Sequence, residues 1–148
     1  MPNTTLNLYR SVQKTEFPNG VIVDDKAVTG VLYPSFEDKQ YKSKGVWKTR
    51  RADIYPYKAK GEWYVGTDGG TSLFDKSGCF GHIYWFYFTI PKGTVVPESL
   101  VIRDTGYNDT YAATHYQIEA HNPMTLDAFK GALDNLARNA VVKSLEGK

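Results

Sequence analysis

The chain has 148 residues, a length that fits one domain spanning residues 1–148, because a second core would leave each half marginal. With 41% hydrophobic, 23% charged and 14% aromatic residues the composition excludes global disorder, and a net charge of +2, with Lys and Arg spread along the chain without a dense basic run, gives no strong signal for nucleic acid. One cysteine, Cys79, excludes an internal disulfide, no Cys/His cluster has zinc-ligand spacing, and the longest apolar run, residues 83–90, is far short of a membrane span.

In chain order, Leu6-Asn7-Leu8-Tyr9-Arg10-Ser11-Val12 alternates apolar and polar side chains, as a half-buried strand does. Arg10 shares the inward parity of Leu8 and Val12. A guanidinium there needs an anion or an opening, and a structural salt bridge would satisfy it as well as a ligand. Pro18-Asn19-Gly20 marks a turn before the β-branched run Val21-Ile22-Val23, and a further stretch, Gly30-Val31-Leu32-Tyr33, ends at Pro34. Residues 35–62 are polar and locally basic, a surface lobe that either lies solvated or overhangs a cleft. No internal repeat or low-complexity stretch stands out.

Gly69-Gly70 forms a flexible turn, and Thr71-Ser72-Leu73-Phe74 begins a strand or short helix. Here glycine permits close backbone approach and two adjacent hydroxyls can hold a ribose or phosphate, although glycine turns followed by Thr and Ser are common. Residues 83–90 are apolar on both faces and predict a central strand. A strand follows from Val95-Val96-Pro97 to Leu100-Val101-Ile102-Arg103, then a polar loop over residues 104–110, then an alternating strand Ala113-Thr114-His115-Tyr116-Gln117-Ile118-Glu119. On that strand His115, Gln117 and Glu119 share a face, and Tyr116 points to the other. From Leu126 apolar residues recur at three and four positions, predicting an amphipathic helix capped by Thr125 or Asn122 and ended by Gly147. The sum is an α+β domain with a C-terminal helix laid on a sheet.

Five stretches in order resemble a known family: Leu8-Tyr9-Arg10-Ser11-Val12, Gly69-Gly70-Thr71-Ser72-Leu73-Phe74-Asp75, Ile90-Pro91-Lys92-Gly93-Thr94, Ala113-Thr114-His115-Tyr116 and Leu133-Asp134-Asn135-Leu136-Ala137-Arg138-Asn139-Ala140. Together they are similar to the bacterial type VI secretion effector toxins with an ADP-ribosyltransferase-like fold, a family with fungal relatives. The resemblance implies a split β-sheet of the mono-ADP-ribosyltransferase kind with a cleft for NAD. It places Arg10 where the first-strand arginine meets the dinucleotide, Gly70, Thr71 and Ser72 at the segment bracing the nicotinamide side, and Arg51 where related toxins carry an arginine. His115, with Tyr116 and Gln117 beside it, falls on the strand of the third transferase signature. That signature calls for a glutamate on the ribose. Gln117 and Glu119 supply a Gln-x-Glu spacing, but the related toxins keep no acids there, so Glu119 enters as a candidate acid outside the resemblance.

The expectation is a toxin acting inside a target cell as an NAD-dependent ADP-ribosyltransferase. Its implied partners are a cognate immunity protein, a component of the secretion apparatus and a target macromolecule. It would be cytoplasmic in the producer and secreted without a signal peptide, since MPNTTLNLYR lacks the charged start and apolar stretch of one. Two other readings stand beside it: a degenerate transferase fold that binds a nucleotide or protein without turnover, and a phosphotransferase that removes a 2′-phosphate from RNA, which ordinarily needs more Arg and His in the cleft.

Overall fold

The computed structural model describes residues 2–147. Its strands are β1 (Leu8–Gln13), β2 (Ile22–Val23), β3 (Lys26–Ala27), β4 (Lys39–Ser43), β5 (Val46–Arg50), β6 (Tyr57–Ala59), β7 (Glu62–Val65), β8 (Gly70–Phe74), β9 (Trp85–Ile90), β10 (Leu100–Asn108), β11 (Ala113–Ala120) and β12 (Met124–Thr125), followed by one helix, α1 (Leu126–Glu146). The fold is α+β, mostly sheet with a C-terminal helix.

The main sheet runs β10-β11-β8-β1-β9, antiparallel throughout. Its joints are unequal. β1 pairs with β9 along its whole length, from Leu8↔Ile90 to Gln13↔Trp85, and β8 pairs with β11 from Gly70 to Phe74, but β1 and β8 meet at the single pair Tyr9↔Phe74. Alternation along β1 sends Leu8 and Val12 into the core with Phe88 and Ile90, and Arg10 goes the same way. Against this face lies α1, burying Phe129, Ala132, Leu133, Leu136, Ala137, Ala140 and Val141. Thr125 is its N-cap, the hydroxyl accepting from the Ala128 amide, a bond of the kind that contributes about 1 kcal/mol, and Gly147 closes the other end.

The structure corrects four expectations. The apolar run at 83–90 is not a central strand: β9 is an edge, and Ile83 and Tyr84 precede it in solvent. Only Phe88 and Ile90 are deeply buried there, because Tyr87 turns its hydroxyl outward to donate to the Gly81 carbonyl (2.8 Å) and accept from the Phe80 amide (2.8 Å). The strand expected from Val95 begins only at Leu100, whose amide donates to the Pro97 carbonyl in a turn (3.0 Å). Residues 30–33 form a strap of turns. Gly30 has φ +89°, and the strap's polar groups bond to side chains from three other elements rather than to a ladder. Residues 104–108, expected as loop, continue β10 through a bulge between Asp104 and Gly106.

The fourth correction concerns the absence of a repeat: the basic surface lobe and the residues just after it hold two hairpins, β4-β5 and β6-β7. Each turns on a Lys-Gly pair with both φ angles positive, Lys44-Gly45 (+50°, +79°) and Lys60-Gly61 (+51°, +78°), the twist that matches a tight two-residue connection. They carry seven-residue stretches identical at five positions, Tyr41-Lys42-Ser43-Lys44-Gly45-Val46-Trp47 and Tyr57-Lys58-Ala59-Lys60-Gly61-Glu62-Trp63. The chain therefore does contain a repeat.

Candidate active site

Where β1 and β8 part, a cavity of about 880 Å³ opens, with Arg10, Tyr33, Arg50, Asp53, Ser72 and His115 around it and Phe74, Phe80 and Trp85 forming an aromatic wall. The aromatic rings brace one another: Phe80 lies 5.0 Å from Trp85 and 6.0 Å from Phe74 between centroids. A flat heteroaromatic group could be held against such a wall.

Arg10 stands at the floor. Its Nη1 donates to the Ser72 carbonyl at 3.2 Å and Nη2 to the Tyr33 carbonyl at 3.0 Å, while Nε is buried with no hydrogen-bond partner among the described residues. No carboxylate lies within ion-pair distance of it among those residues. Burial lowers its pKa, and Arg50 acts in the same direction, against the opposing charges of Asp53 and Glu16. A cation held by neutral carbonyls and facing a cavity is a site for an anion.

The strap that supplies the Tyr33 carbonyl is fixed from behind by α1. Asp134 Oδ1 accepts from the Gly30 amide (3.0 Å) and Oδ2 from the Tyr33 hydroxyl (2.7 Å). Burial and then Asp134 push the Tyr33 hydroxyl up to about 12. From the other side Asp53 Oδ2 accepts from the Ser35 amide (2.9 Å), and the Asp53 amide donates to the Ser35 hydroxyl (2.9 Å).

His115 packs its ring edge-on to Phe74, 5.2 Å between centroids. Thr105 Oγ1 donates to the His115 carbonyl (3.0 Å) and also touches Nδ1. In the tautomer whose Nδ1 donates to Thr105 Oγ1, Nε2 is left as an acceptor. Burial lowers the pKa of this imidazole, with Asp53 opposing, so it is neutral at pH 7.

The remaining candidates lie elsewhere. Thr71 is fully buried, its hydroxyl donating to the Leu32 carbonyl at 2.6 Å, so it braces the strap. Gly70 is required by strand packing: a Cβ there would fall 1.8 Å from the Ile118 carbonyl oxygen. Tyr116 pairs with Leu73 and packs against the core. Gln117 and Glu119 share the face of Ser72 and His115 but do not line the cavity. Glu119 is 5% exposed and accepts from Arg103 Nε (3.2 Å) and Nη2 (2.6 Å) and from Gln117 Nε2 (2.7 Å); the Arg103 bonds hold its carboxyl below the usual range. Arg51 is exposed and its neighbour Arg50 lines the cavity instead. Sequence reasoning missed Arg50 and Asp53, which a hairpin end and a loop deliver, and Asp134, whose polar side chain on the helix's buried flank was the available signal.

Two comparisons agree with this architecture. A sequence model of the Tse2 ADP-ribosyltransferase toxin family matches residues 2–145. The chain is also similar to Toxin Tse2 of Pseudomonas aeruginosa, 32% identical over 152 aligned residues that cover 97% of this chain and 92% of that protein. The cleft with its half-buried arginine thus sits in a chain that belongs to the Tse2 ADP-ribosyltransferase toxin family.

Proposed function

We propose that the cleft binds NAD as co-substrate and that the chain, as a toxin inside a target cell, transfers ADP-ribose from it. The observation that carries this reading is Arg10, a half-buried cation on a cavity of about 880 Å³ with no carboxylate within ion-pair distance among the described residues. A pyrophosphate answers that charge, and the wall of Phe74, Phe80 and Trp85 suits a flat ring. The Ser72 side chain, on the cavity, is the hydroxyl within reach of a ribose, and His115 Nε2 is the acceptor for a hydroxyl proton.

In the reaction the bond between nicotinamide and ribose breaks, nicotinamide leaves with the bonding pair, and an acceptor nucleophile bonds to the ribose carbon and gives up its proton. Positive charge grows on the ribose as the bond breaks, so a fixed carboxylate lowers the barrier. We assign that part to Asp53, the cleft carboxylate whose charge reaches both Arg10 and His115. We read the single-pair joint of β1 and β8 as the split of a transferase sheet, and residues 1–148 as one toxin domain. A cognate immunity protein, a secretion component and a target macromolecule are the partners this reading implies, with export by a route that reads no signal peptide.

One observation favours binding without turnover: Glu119, at the transferase glutamate's strand, is already occupied by Arg103 and Gln117. Calorimetric titration with NAD, with nicotinamide release followed in the same sample, separates the two. Binding that weakens tenfold or more in both Arg10→Ala and Ser72→Ala, with release lost in Asp53→Asn, is expected. Absence of binding at millimolar NAD overturns the cleft's assignment, and binding without release leaves the non-catalytic reading.

A further inference from the structure

Residues 39–62 hold eight of the chain's 18 basic residues and two of its 16 acidic ones, so this segment is +6 and the rest of the chain is −4. The averaged charge of +2 conceals that polarity. The positive charge is arranged on the twin hairpins. In β4-β5, Lys42 and Trp47 are direct cross-strand partners with Nζ 5.8 Å from the ring centre; in β6-β7, Lys58 and Trp63 repeat the pair at 5.8 Å. Both indoles are open to solvent, 67% and 52% exposed, and each hairpin adds a turn lysine, Lys44 or Lys60.

We propose that the twin hairpins form a binding surface for a single-stranded nucleic acid. A duplicated unit of one exposed aromatic face beside two cations suits a polymer that repeats an anion and a flat ring at each step. Phosphates meet the lysines, and unstacked bases lie on the indoles. An acidic polypeptide would satisfy the cations but gives the paired indoles no counterpart. Duplex hides its base faces, so the same indoles select the single strand. On the other face of β4-β5, Lys39, Tyr41 and Arg50 line the cavity, so a bound strand would lie beside its mouth. The binding claim requires neither NAD nor turnover and stands or falls separately from the reaction proposed above.

The test is fluorescence anisotropy of labelled 20-nucleotide mixed-sequence RNA and DNA single strands, in the absence of NAD, with the duplex and a polyglutamate peptide as competitors. Expected is saturable binding to at least one single strand that weakens steeply between 50 and 200 mM salt. Trp47→Ala and Trp63→Ala, both surface changes, should each weaken it about tenfold or more, the loss of one stacked base. Far-ultraviolet circular dichroism checks that each variant keeps its fold, and Trp47→Phe, which restores a stacking face, should recover most of the affinity. No binding of either strand at 50 mM salt overturns the proposal. So does affinity indifferent to both tryptophans, or polyglutamate competing as well as the single strand, which would make the surface one for an acidic protein.

Discussion

Asp134 lines no part of the cavity, yet both of its carboxylate oxygens hold the strap whose Tyr33 carbonyl receives Arg10. Asp134→Ala removes the acceptor for a backbone amide and a phenol in a partly buried place, which costs about 1–3 kcal/mol. It should lower Tm and weaken NAD binding together, and Asp134→Asn, which keeps an acceptor for Gly30, should recover part of both in calorimetry. The Tyr33 hydroxyl, held up at about 12, keeps its proton more tightly in the folded chain than in the unfolded one, where tyrosine loses it near pH 10. Its contribution to stability is therefore complete below pH 10 and is lost as the pH rises towards 12. Urea denaturation across that range should show a decline that Tyr33→Phe removes. Glu119 works at the opposite end, since its lowered pKa gives stability present above the ordinary carboxylate range and lost as pH falls below it. Glu119→Gln should flatten the acid limb of stability while NAD affinity stays as it was; a tenfold fall in NAD affinity would place Glu119 in the cleft.

Among the elements, α1 was the most legible, because its apolar period, its Thr125 cap and the closing Gly147 all agree, and parity alone placed Arg10 on the inner side of β1. Aromatic richness misled at β9, an edge strand, where Tyr87 counts as apolar in sequence but turns its hydroxyl to the Phe80 amide and the Gly81 carbonyl. In the strap at 30–33, Val31 and Leu32 are fully buried in the core with no ladder beside them, so burial there comes without a strand. Gly70 and Gly131 test how far local glycine chemistry can be read. A methyl at Gly70 collides with the β11 backbone, so Gly70→Ala should destabilise by upwards of about 3 kcal/mol. At Gly131, on α1, a methyl meets nothing within 4 Å, and Gly131→Ala should stabilise by about 1 kcal/mol through helix propensity. Thermal melts of the two variants should move in opposite directions.

In the whole molecule, the weak joint of the main sheet, the cavity and the uncompensated cation coincide. The strands on either side of the joint are fully paired, so the place where β1 leaves β8 is where the sheet gives up ladder bonds and gains a site. Arg10 bridges that joint by reaching from β1 to the Ser72 carbonyl on β8. Keeping a guanidinium there without a carboxylate costs desolvation, and a bound anion relieves it. Ligand binding should therefore appear as stability: NAD at a hundred times its Kd raises the unfolding free energy by about 2.7 kcal/mol for any single site, and here the gain depends on Arg10. In Arg10→Met the desolvated charge is gone but the Ser72 and Tyr33 carbonyls lose their donor, two opposing effects that should leave the ligand-free Tm only modestly changed, while the rise in Tm on adding NAD should vanish. A variant that melts much lower without ligand and still gains the full NAD shift would mean that Arg10 is a structural clamp and that the dinucleotide site lies elsewhere.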